Sequence, residues 1–306
     1  MNNVTENDRL VSIIIPCYND GATLDEAIAS VQHQTWKETE IIIIDDGSDD
    51  PETIQAIETL QFPRKTVLHT SHIGPSAARN RGITASNGSY ILPLDADDII
   101  EPTYIEKALE ILNGNEKIGA VYCHADLFGE ANGPWELPDY SFESELLDNC
   151  VFVTALFRKQ DWEKIGGFSE DFHAGMEDYD FWLSMLELGK EIYQLPEVLF
   201  HYRIKKKSRT TSFQDSYNDV QNTYVQLYQR HRKLFQENMD IYCMQLRRNL
   251  IDQLALNRKL HEDPLIQYIL DVRKYKPRLG RFLERLFHFK NRIRRLIGRK
   301  QSEDER

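Results

Sequence analysis

The sequence predicts an α/β protein with a mostly parallel sheet, helices on both faces of that sheet, and a helical appendage at the C-terminal end. Over roughly the first 125 residues, short apolar runs alternate with segments of helical periodicity, a pattern typical of parallel strands joined by crossover helices. From about Ser212 onward the pattern is helical and polar, without a strand signal. We therefore divide the chain into a sheet-containing domain, residues 1–212, and a helical region, residues 213–306.

Apolar runs rich in β-branched residues predict six strands. The clearest run is Ile41–Ile44, because consecutive β-branched residues suit a strand that is buried on both faces. Pro16 ends the first run, since proline cannot donate a hydrogen bond within a sheet. In chain order, the predicted strands are Leu10–Ile15, Glu40–Ile44, Thr66–His69, Tyr90–Leu94, Gly119–Cys123 and Phe152–Phe157.

The helices between these strands are predicted from the residues at their N-terminal ends. Thr23 and Glu26 have the spacing of a capping box. Asp50 and Pro51 are residue types preferred at the N-cap and at the first helical position. Two further helices are predicted over Pro75–Ala85 and from Pro102, the latter with the apolar stripe Ile105, Ala108, Leu109 and Leu112.

Composition places the chain among ordinary globular proteins. Of the 306 residues, 41% are hydrophobic and 28% are charged, and no apolar run approaches the ~18–20 residues that span a bilayer. The polar N-terminal segment has no signal-peptide pattern, and the four cysteines form no C-x-x-C pair. We therefore expect reduced thiols and a cytoplasmic location.

Charge is distributed unevenly along the chain. Residues 273–300 contain twelve Lys or Arg and one acidic residue, Glu284, whereas the whole chain has a net charge of −12. The remainder is therefore strongly acidic, which disfavours binding to nucleic acid. Apolar residues from 279 to 297 recur at three- and four-residue spacing, which predicts a basic amphipathic helix on an anionic membrane surface. A helix docked on the acidic body, or one that joins subunits, is the alternative.

Three common motifs are absent from the sequence. It contains no G-x-G-x-x-G, no G-x-x-x-x-G-K-[ST] and no G-x-S-x-G. These absences disfavour a dinucleotide oxidoreductase, a P-loop enzyme and a serine hydrolase of the nucleophile-elbow type. The residues that follow the predicted strands are acidic instead of glycine-rich.

Carboxylates follow two of the predicted strands. Asp45 and Asp46 end the isoleucine run, and Asp95, Asp97 and Asp98 follow a later strand. Ligands of open α/β sheets bind beyond the carboxyl ends of strands, so both acidic turns are expected at one crevice. Asp95 and Asp97 face the same side of an extended backbone, where two oxygen ligands suit Mg²⁺ or Mn²⁺. The alternative is an Asp-rich turn in which Asp98 or Glu101 caps the next helix.

A third acidic pair and two arginines complete the candidate residues. Glu177 and Asp178 precede an apolar stripe at helical spacing, so Asp178 is expected in the first turn of a helix. There it is either a helix cap or a general base. Arg79 and Arg81 lie within the predicted helix Pro75–Ala85, where they either bind a phosphate or a base or are surface residues.

Five of these segments together resemble the inverting glycosyltransferase family 2, whose members have the GT-A fold, a Rossmann-like α/β sheet. In chain order, within residues 10–205, they are VSIIIPCYND, IIIIDDGSDD, GPSAARNRGI, LPLDADD and GMEDYDFW. Each motif by itself is weak evidence for this family. All five in this order, at the ends of strands and helices, are strong evidence for it. The resemblance implies a metal-dependent transferase with a nucleotide-sugar donor.

The resemblance implies a role for residues at the ends of the first two strands. Pro16, Cys17 and Tyr18 match the exit of the first strand, which packs near the nucleotide base. Asp46 matches the acid that hydrogen-bonds the base, commonly uracil. Asp45 is its neighbour, which either contacts the nucleotide or is structural.

The resemblance also implies the catalytic and metal-binding residues. Arg79 matches an arginine near the nucleotide, and Asp95 and Asp97 match the D-x-D motif. Asp97 is the more direct ligand of Mn²⁺ or Mg²⁺ by this pattern. Asp178 matches the catalytic base, and Glu177 orients that base or the acceptor.

One segment departs from the family pattern. Members often carry Tyr-Arg-x-His close to the diphosphate, and here Tyr202 and Arg203 match, which implies that Arg203 contacts the nucleotide. Lys205 stands where His is usual, so a third metal ligand is left open, with His201 as a substitute. Lys205 and the two lysines after it are able to neutralise a diphosphate. Trp182 either stacks on the acceptor sugar or belongs to the core.

The sequence therefore predicts an inverting glycosyltransferase that moves a sugar from a nucleotide-sugar, most readily a UDP-sugar, to a hydroxyl of a glycan or lipid-linked glycan. We expect it at the inner face of the plasma membrane, in the assembly of surface polysaccharide. The loop between Asn132 and Asp148 is expected to decide the choice of sugar. Two alternatives are a nucleotidyltransferase on a related sheet and an inactive GT-A subunit that only binds nucleotide-sugar.

Overall fold

The structure, a computed structural model, describes residues 9–206 and 216–262 of the chain. Two compact units share these residues: the first extends to Tyr242, and the second begins at Cys243. The strands of the described residues all lie in the first unit. They are β1 (Val11–Cys17), β2 (Thr39–Asp45), β3 (Lys65–His69), β4 (Tyr90–Pro93), β5 (Ile99–Ile100), β6 (Ile118–Gly129), β7 (Gly133–Pro134), β8 (Leu156–Arg158) and β9 (Glu191–Ile204).

These strands form one mixed sheet. β1 pairs in parallel with β2 and β4, and β2 pairs in parallel with β3. β8 runs antiparallel to both β4 and β6, while β6 and β9 are parallel. The order across the sheet is β3-β2-β1-β4-β8-β6-β9-β5, with β7 paired to β6. Because β1, β2 and β4 run in one direction, the residues that follow them meet at one edge of the sheet.

Helices connect the strands and follow the sheet in the chain. Those of the described residues are α1 (Gly21–Gln32), α2 (Pro51–Thr59), α3 (Pro75–Ala85), α4 (Tyr104–Gly114), α5 (Phe142–Leu147), α6 (Lys159–Ile165), α7 (Glu177–Glu187), α8 (Tyr217–Arg230), α9 (Arg232–Glu237) and α10 (Met239–Glu262). The predicted fold class, an α/β sheet with parallel crossovers followed by helices, is confirmed.

The isoleucine run lies at the centre of the core, as predicted. Ile41–Ile44 are buried, because β2 has β1 on one side and β3 on the other and α3 packs against it. The apolar stripe of α4 is buried as well. The continuous apolar run therefore correctly identified a strand covered on both faces.

The start of α1 differs from the predicted capping box. The helix begins at Gly21, and Thr23 donates its hydroxyl hydrogen bond to the carbonyl of Asp20, the N-cap residue. The carboxylate of Glu26 instead accepts a hydrogen bond from Arg203. By contrast, Asp50 caps α2 as predicted, since its Oδ2 accepts from the backbone N–H of Thr53 at 2.9 Å.

The second half of the sheet was predicted less well. β6 extends to Gly129, six residues beyond the predicted end, and its long partner β9 was not predicted. The predicted strand Phe152–Phe157 is reduced to β8, Leu156–Arg158. β6 and β9 have mixed polar and apolar composition at their far ends, and their strand geometry comes from pairing with each other along most of their length.

Two helices beyond the predicted domain boundary belong to the first compact unit. Leu227 of α8 and Leu234 and Phe235 of α9 are buried in it. His231, between the two helices, lies 3.1 Å from the Asp180 carboxylate of α7. The division at 212 and 213 remains a prediction, because residues 207–215 are outside the described residues.

The second unit is described only as far as Glu262, within α10. The basic segment 273–300, with its predicted membrane-binding stretch 279–297, lies outside the described residues, so that prediction stands as made. None of the helices within residues 9–206 and 216–262 combines the length and the apolar character that crossing a membrane requires.

The close approach of α1 and α2 generates a stability prediction. A Cβ atom at Gly21 would lie 2.3 Å from the Cα and 2.6 Å from the backbone nitrogen of Thr53, so neither partner can move aside as a side chain would. We expect Gly21→Ala to lower the free energy of unfolding by about 1–3 kcal/mol in urea denaturation.

Gly114→Ala is the matched control for this variant. Gly114 ends α4, and an added Cβ there would meet no atom within 4 Å. We expect it to leave the free energy of unfolding unchanged or slightly higher, because alanine is the better helix former. Equal stability of the two variants would contradict the packing described for Gly21.

Candidate active site

The candidate site is a cavity of about 1110 Å³ at the carboxyl ends of β1, β2 and β4. The N-terminal end of α7 and the residues after β9 contribute to its other walls. Eight predicted site residues line it: Pro16, Tyr18, Asp46, Arg79, Asp95, Asp97, Glu177 and Asp178. Asp45 and Arg203, which the family resemblance assigned to the nucleotide, are not among the residues of this wall.

Asp46 orders the loop that leads into α3. Its Oδ1 accepts hydrogen bonds from the Thr70 hydroxyl at 2.6 Å and from the Ile73 N–H at 2.7 Å. Its Oδ2 accepts from the Gly74 N–H at 2.8 Å. The carboxylate is 6% exposed and lines the cavity. It therefore acts in this structure as an anchor for one wall of the site.

That loop places an aromatic pair at the mouth of the cavity. The rings of Tyr18 and His72 have centroids 4.1 Å apart, and Tyr18 is 43% exposed. Both residues line the cavity, so a planar group entering here meets an exposed ring. Tyr18 was predicted from the sequence, whereas His72 was not, because a single histidine in a loop carries no periodic signal.

Asp45 belongs to the turn and not to the cavity wall. Its Oδ1 accepts from the Ser48 N–H at 2.9 Å, and its Oδ2 lies 3.0 Å from His69 Nδ1. Burial raises the pKa of Asp45, but the hydrogen bonds from Ser48 and His69 outweigh burial and lower it. Neighbouring side chains of a strand point to opposite sides, and of the two acids only Asp46 lines the cavity. The expected contact of Asp45 with the nucleotide stays a prediction, and its hydrogen bonds within the turn fit the alternative of a structural role.

Arg79 joins the acidic turn after β4 to the start of α7. Its Nη2 lies 2.7 Å from Asp95 Oδ1, and its Nη1 lies 2.9 Å from Glu177 Oε1. The guanidinium side chain is 4% exposed. Burial lowers the pKa of Arg79, but the charges of Asp95 and Glu177 outweigh burial and raise it. The bridge spans 98 positions in the chain and fixes two acidic segments against each other.

The acidic turn itself is crowded with negative charge. Burial raises the pKa of Asp97, and the charge of Asp95 adds to this effect, although Lys205 opposes it. Burial and the charges of Asp97 and Asp95 raise the pKa of Asp98 well above its usual range. Asp98 accepts from the Arg203 N–H at 2.9 Å and does not cap α4, whose N-cap is Thr103. The capping alternative for Asp98 is therefore wrong.

Arg203 supports the acidic turn from behind. Its Nε donates to the carbonyl oxygen of Asp97 at 2.7 Å, and its Nη2 donates to Glu26 at 2.9 Å. The guanidinium carbon also lies 4.3 Å from the ring centroid of Phe128. These contacts join the guanidinium to protein groups. The predicted contact of Arg203 with the nucleotide stays a prediction.

Lys205 projects into the cavity between two carboxylates. Its ammonium lies 2.8 Å from Asp97 Oδ2 and also contacts the carboxylate of Asp20. Lys205 and Asp20 line the cavity, whereas the next residue, Lys206, is 83% exposed and lies 3.8 Å from Glu130. Asp20 was not among the predicted site residues. It directly precedes α1 and was expected to lie outside that helix.

The donor set of this corner fits a divalent cation. Asp20, Asp95, Asp97 and Asp98 all line the cavity. Burial first, and then the charges of neighbouring carboxylates, raise the pKa of Asp97 and Asp98. Within the described residues, no group of three or more His, Cys, Asp or Glu side chains is arranged to hold a metal by itself. Such a corner suits a cation that completes its ligands with water and phosphate, as Mg²⁺ does.

Asp178 lies in the first turn of α7, as predicted, and faces the same cavity. Its Oδ1 accepts from the Tyr179 N–H at 2.8 Å. Burial and then the charge of Glu177 raise the pKa of Asp178 to about 6, although the Tyr179 amide, Arg79 and Asn149 oppose the rise. A half-buried carboxylate with this pKa is ionised at neutral pH and still basic enough to accept a proton.

Trp182 belongs to the core, so the alternative of acceptor stacking is wrong for this residue. It is fully buried, and its Nε1 donates to the Val151 carbonyl at 2.8 Å. Trp135 lines the cavity in its place, with ring centroids 4.7 Å from Tyr202 and 5.8 Å from Phe152. It lies in the loop predicted to decide the choice of sugar.

The sequence matches the profile of "Glycosyl transferase family 2" over residues 12–183. Among curated proteins, an uncharacterized glycosyltransferase of Haemophilus influenzae is 30% identical over 73% of this chain and 80% of its own length. A chondroitin synthase of Pasteurella multocida is 30% identical over 59% of this chain and 19% of its own length.

Among solved structures, residues 1–349 of TarS from S. aureus, in complex with UDP-GlcNAc, superimpose with a TM-score of 0.56. The two sequences are 20% identical, and the match covers 66% of this chain and 61% of the TarS chain. This likeness shows the GT-A fold. The chain thus spans somewhat under two thirds of that structure.

The buried bridge generates a second stability prediction. Arg79→Ala leaves the half-exposed Asp95 and the buried Glu177 without their shared cation, and we expect the free energy of unfolding to fall by about 3–5 kcal/mol. Arg81→Ala is the matched control, since Arg81 lies on the same helix and is exposed. We expect it to change stability by less than about 0.5 kcal/mol. Comparable losses in both variants would refute the bridge.

Proposed function

The chain belongs to glycosyl transferase family 2, and we propose that it transfers a sugar, with inversion, from a nucleoside diphosphate-sugar to a hydroxyl of a glycan or lipid-linked glycan. The observation that carries this proposal is the bridge from Arg79 to Asp95 and Glu177. It supports the proposal because it joins the acidic turn, which would bind the donor, to the helix that carries the candidate base Asp178. Both line one cavity.

The proposed donor is a UDP-sugar. The base would lie at the mouth beside Tyr18 and His72, next to the loop anchored by Asp46, and the diphosphate would lie beside Asp97 and Lys205. A TarS structure holds UDP-GlcNAc on the same fold, which supports this class of donor. Mn²⁺ or Mg²⁺, held by Asp97 and Asp95 together with phosphate oxygens, would stabilise the negative charge of the leaving group.

The proposed reaction needs one base. The Asp178 carboxylate accepts the proton of the acceptor hydroxyl, whose oxygen forms a bond to the anomeric carbon from the side opposite the diphosphate. The bond from that carbon to the diphosphate oxygen breaks, and the nucleoside diphosphate leaves with the electron pair. One displacement of this kind inverts the anomeric configuration. Because the leaving group is already acidic, no general acid is required.

Glu177 is proposed to position the base and not to act as a second catalytic carboxylate. It is 6% exposed, and Arg79 contacts it at 2.9 Å. Neighbouring residues of a helix project about 100° apart, so Glu177 and Asp178 cannot flank one substrate as the paired carboxylates of a glycosidase do. Their arrangement therefore favours transfer over glycoside hydrolysis.

The proposed acceptor side of the cavity is aromatic. Trp135 and Tyr202 lie on this wall, and Val220 and Tyr224 of α8 also reach it. Aromatic faces pack well against the apolar faces of sugar rings, which supports a glycan acceptor. A lipid-linked glycan at the inner face of the plasma membrane, bound through residues 279–297, remains our proposal for the setting.

Donor binding tests the proposal directly. With Mn²⁺ present, we expect calorimetry to show that UDP binds more tightly than GDP, ADP or dTDP, and that EDTA weakens UDP binding at least about tenfold. Asp97→Asn should abolish the effect of Mn²⁺, because it removes the charged ligand. Asp25→Asn, on the exposed face of α1, is the control and should bind as the unmutated protein does. Binding that ignores both Mn²⁺ and Asp97 would overturn the assignment of the donor site.

The pKa of Asp178 predicts a pH profile. The base must be ionised, so the kcat/KM for release of UDP from UDP-sugars should fall about tenfold per pH unit below about pH 6 and level off above it. Asp178→Asn should bind UDP normally and lose about 10²–10⁴-fold in rate. A pH-independent rate from pH 5 to 8, or full activity of Asp178→Asn, would exclude Asp178 as the base. Normal UDP binding without any turnover in the unmutated protein would indicate a binding subunit.

A further inference from the structure

Lys205 follows a firmly anchored backbone. The carbonyl of the preceding residue, Ile204, accepts a hydrogen bond from the Glu130 N–H at 3.0 Å. The Arg203 N–H donates to Asp98, and the Arg203 guanidinium donates to the Asp97 carbonyl. The position from which the Lys205 side chain extends is therefore set by the acidic turn that it contacts.

Asp20 holds the other side of the Lys205 ammonium. Asp20 is the N-cap residue of α1, but its carboxylate makes no capping hydrogen bond to the helix. The Thr23 N–H donates to the backbone carbonyl of Asp20 at 3.2 Å, and the Gly21 N–H donates to the Thr53 hydroxyl at 2.8 Å. The Asp20 carboxylate is turned to Lys205, and the contact joins residues 185 positions apart. An acid that gives up its usual capping role for a lysine indicates that the lysine position is specifically held.

The Lys205 ammonium contacts one carboxylate oxygen of Asp97, the expected metal ligand. Lys205 Nζ lies 2.8 Å from Asp97 Oδ2, and the lysine side chain is 30% exposed. A divalent cation that binds Asp97 meets a positive charge already at hydrogen-bond distance from the same carboxylate. Two cations that share one carboxylate repel each other, and burial makes that repulsion stronger than it is in water.

We propose that Lys205 is the counter-ion of Asp97 in the nucleotide-free protein and competes there with the divalent cation. The cation therefore binds weakly until the donor diphosphate binds and its oxygens pair with the Lys205 ammonium. This inference rests on the proposed function. The diphosphate offers oxygens both to the ammonium and to the metal, which relieves the competition. Metal and nucleotide therefore bind cooperatively, and Lys205 sets the size of the coupling.

Mn²⁺ titration of the full chain, followed by the electron paramagnetic resonance signal of free Mn²⁺, tests the competition without any turnover. In the absence of nucleotide, we expect Lys205→Met to bind Mn²⁺ at least about tenfold more tightly than the unmutated protein, because a repelling charge is removed. With saturating UDP, the difference should shrink, since the diphosphate has already drawn Lys205 from Asp97.

Lys206→Met is the matched control, because it removes the neighbouring positive charge at a side chain that is 83% exposed. It should bind Mn²⁺ as the unmutated protein does. Lys205→Gln is a second variant that keeps a polar group in place, and circular dichroism checks that each variant is folded. Tighter Mn²⁺ binding in either folded Lys205 variant supports the proposal.

Mn²⁺ binding that is unchanged or weaker in the folded Lys205 variants would overturn it. Unchanged binding would mean that the lysine does not compete, and weaker binding would mean that it orders Asp97 for the metal. The nucleotide-free titration is independent of the donor proposal. Failure of UDP to bind the unmutated protein would refute the UDP-sugar assignment and would leave the Mn²⁺ comparison between variants intact.

Discussion

The buried bridge from Arg79 to Asp95 and Glu177 is the interaction on which the rest of the site depends. A guanidinium can bond two carboxylates at once in a fixed plane, so it sets their separation as well as neutralising them. Asp95 belongs to the turn that follows β4, and Glu177 opens α7. This contact joins the sheet edge to the first turn of α7, and Asp97 and Asp178 line the same cavity.

The site is organised around an excess of carboxylates that only partly find cations within the protein. Arg79 and Lys205 each contact two of them. Burial first, and then the charges of neighbouring carboxylates, raise the pKa of Asp97 and Asp98. A diphosphate is itself anionic, so it can enter such a corner only with additional positive charge. Under the proposed function, Arg79 and Lys205 keep these partly buried carboxylates paired until donor and metal bind.

Polar residues next to those that line the cavity support its walls. Asp45 holds its own turn, Asp98 fixes the backbone of β9, and Arg203 holds the carbonyl of Asp97. Each of these groups is polar and at least partly buried, so it must find a hydrogen-bonding partner, and the partner that is available is the backbone of the functional loop. Each acidic turn thus contains one side chain that faces the cavity and a neighbouring side chain that fixes the backbone around it.

The sequence by itself determined the features that depend on local patterns. The isoleucine run identified a doubly covered strand, and the placement of Asp46 and Asp97 after strands predicted that they face one cavity. The family resemblance added Asp178, which lines the same cavity. The tertiary structure decided which neighbours act as supports and which cation meets Asp97. The contacts of Lys205 with Asp20 and of Arg203 with Asp97 join residues 185 and 106 positions apart. Spacing and periodicity carry no information about such pairs, because folding alone brings them together.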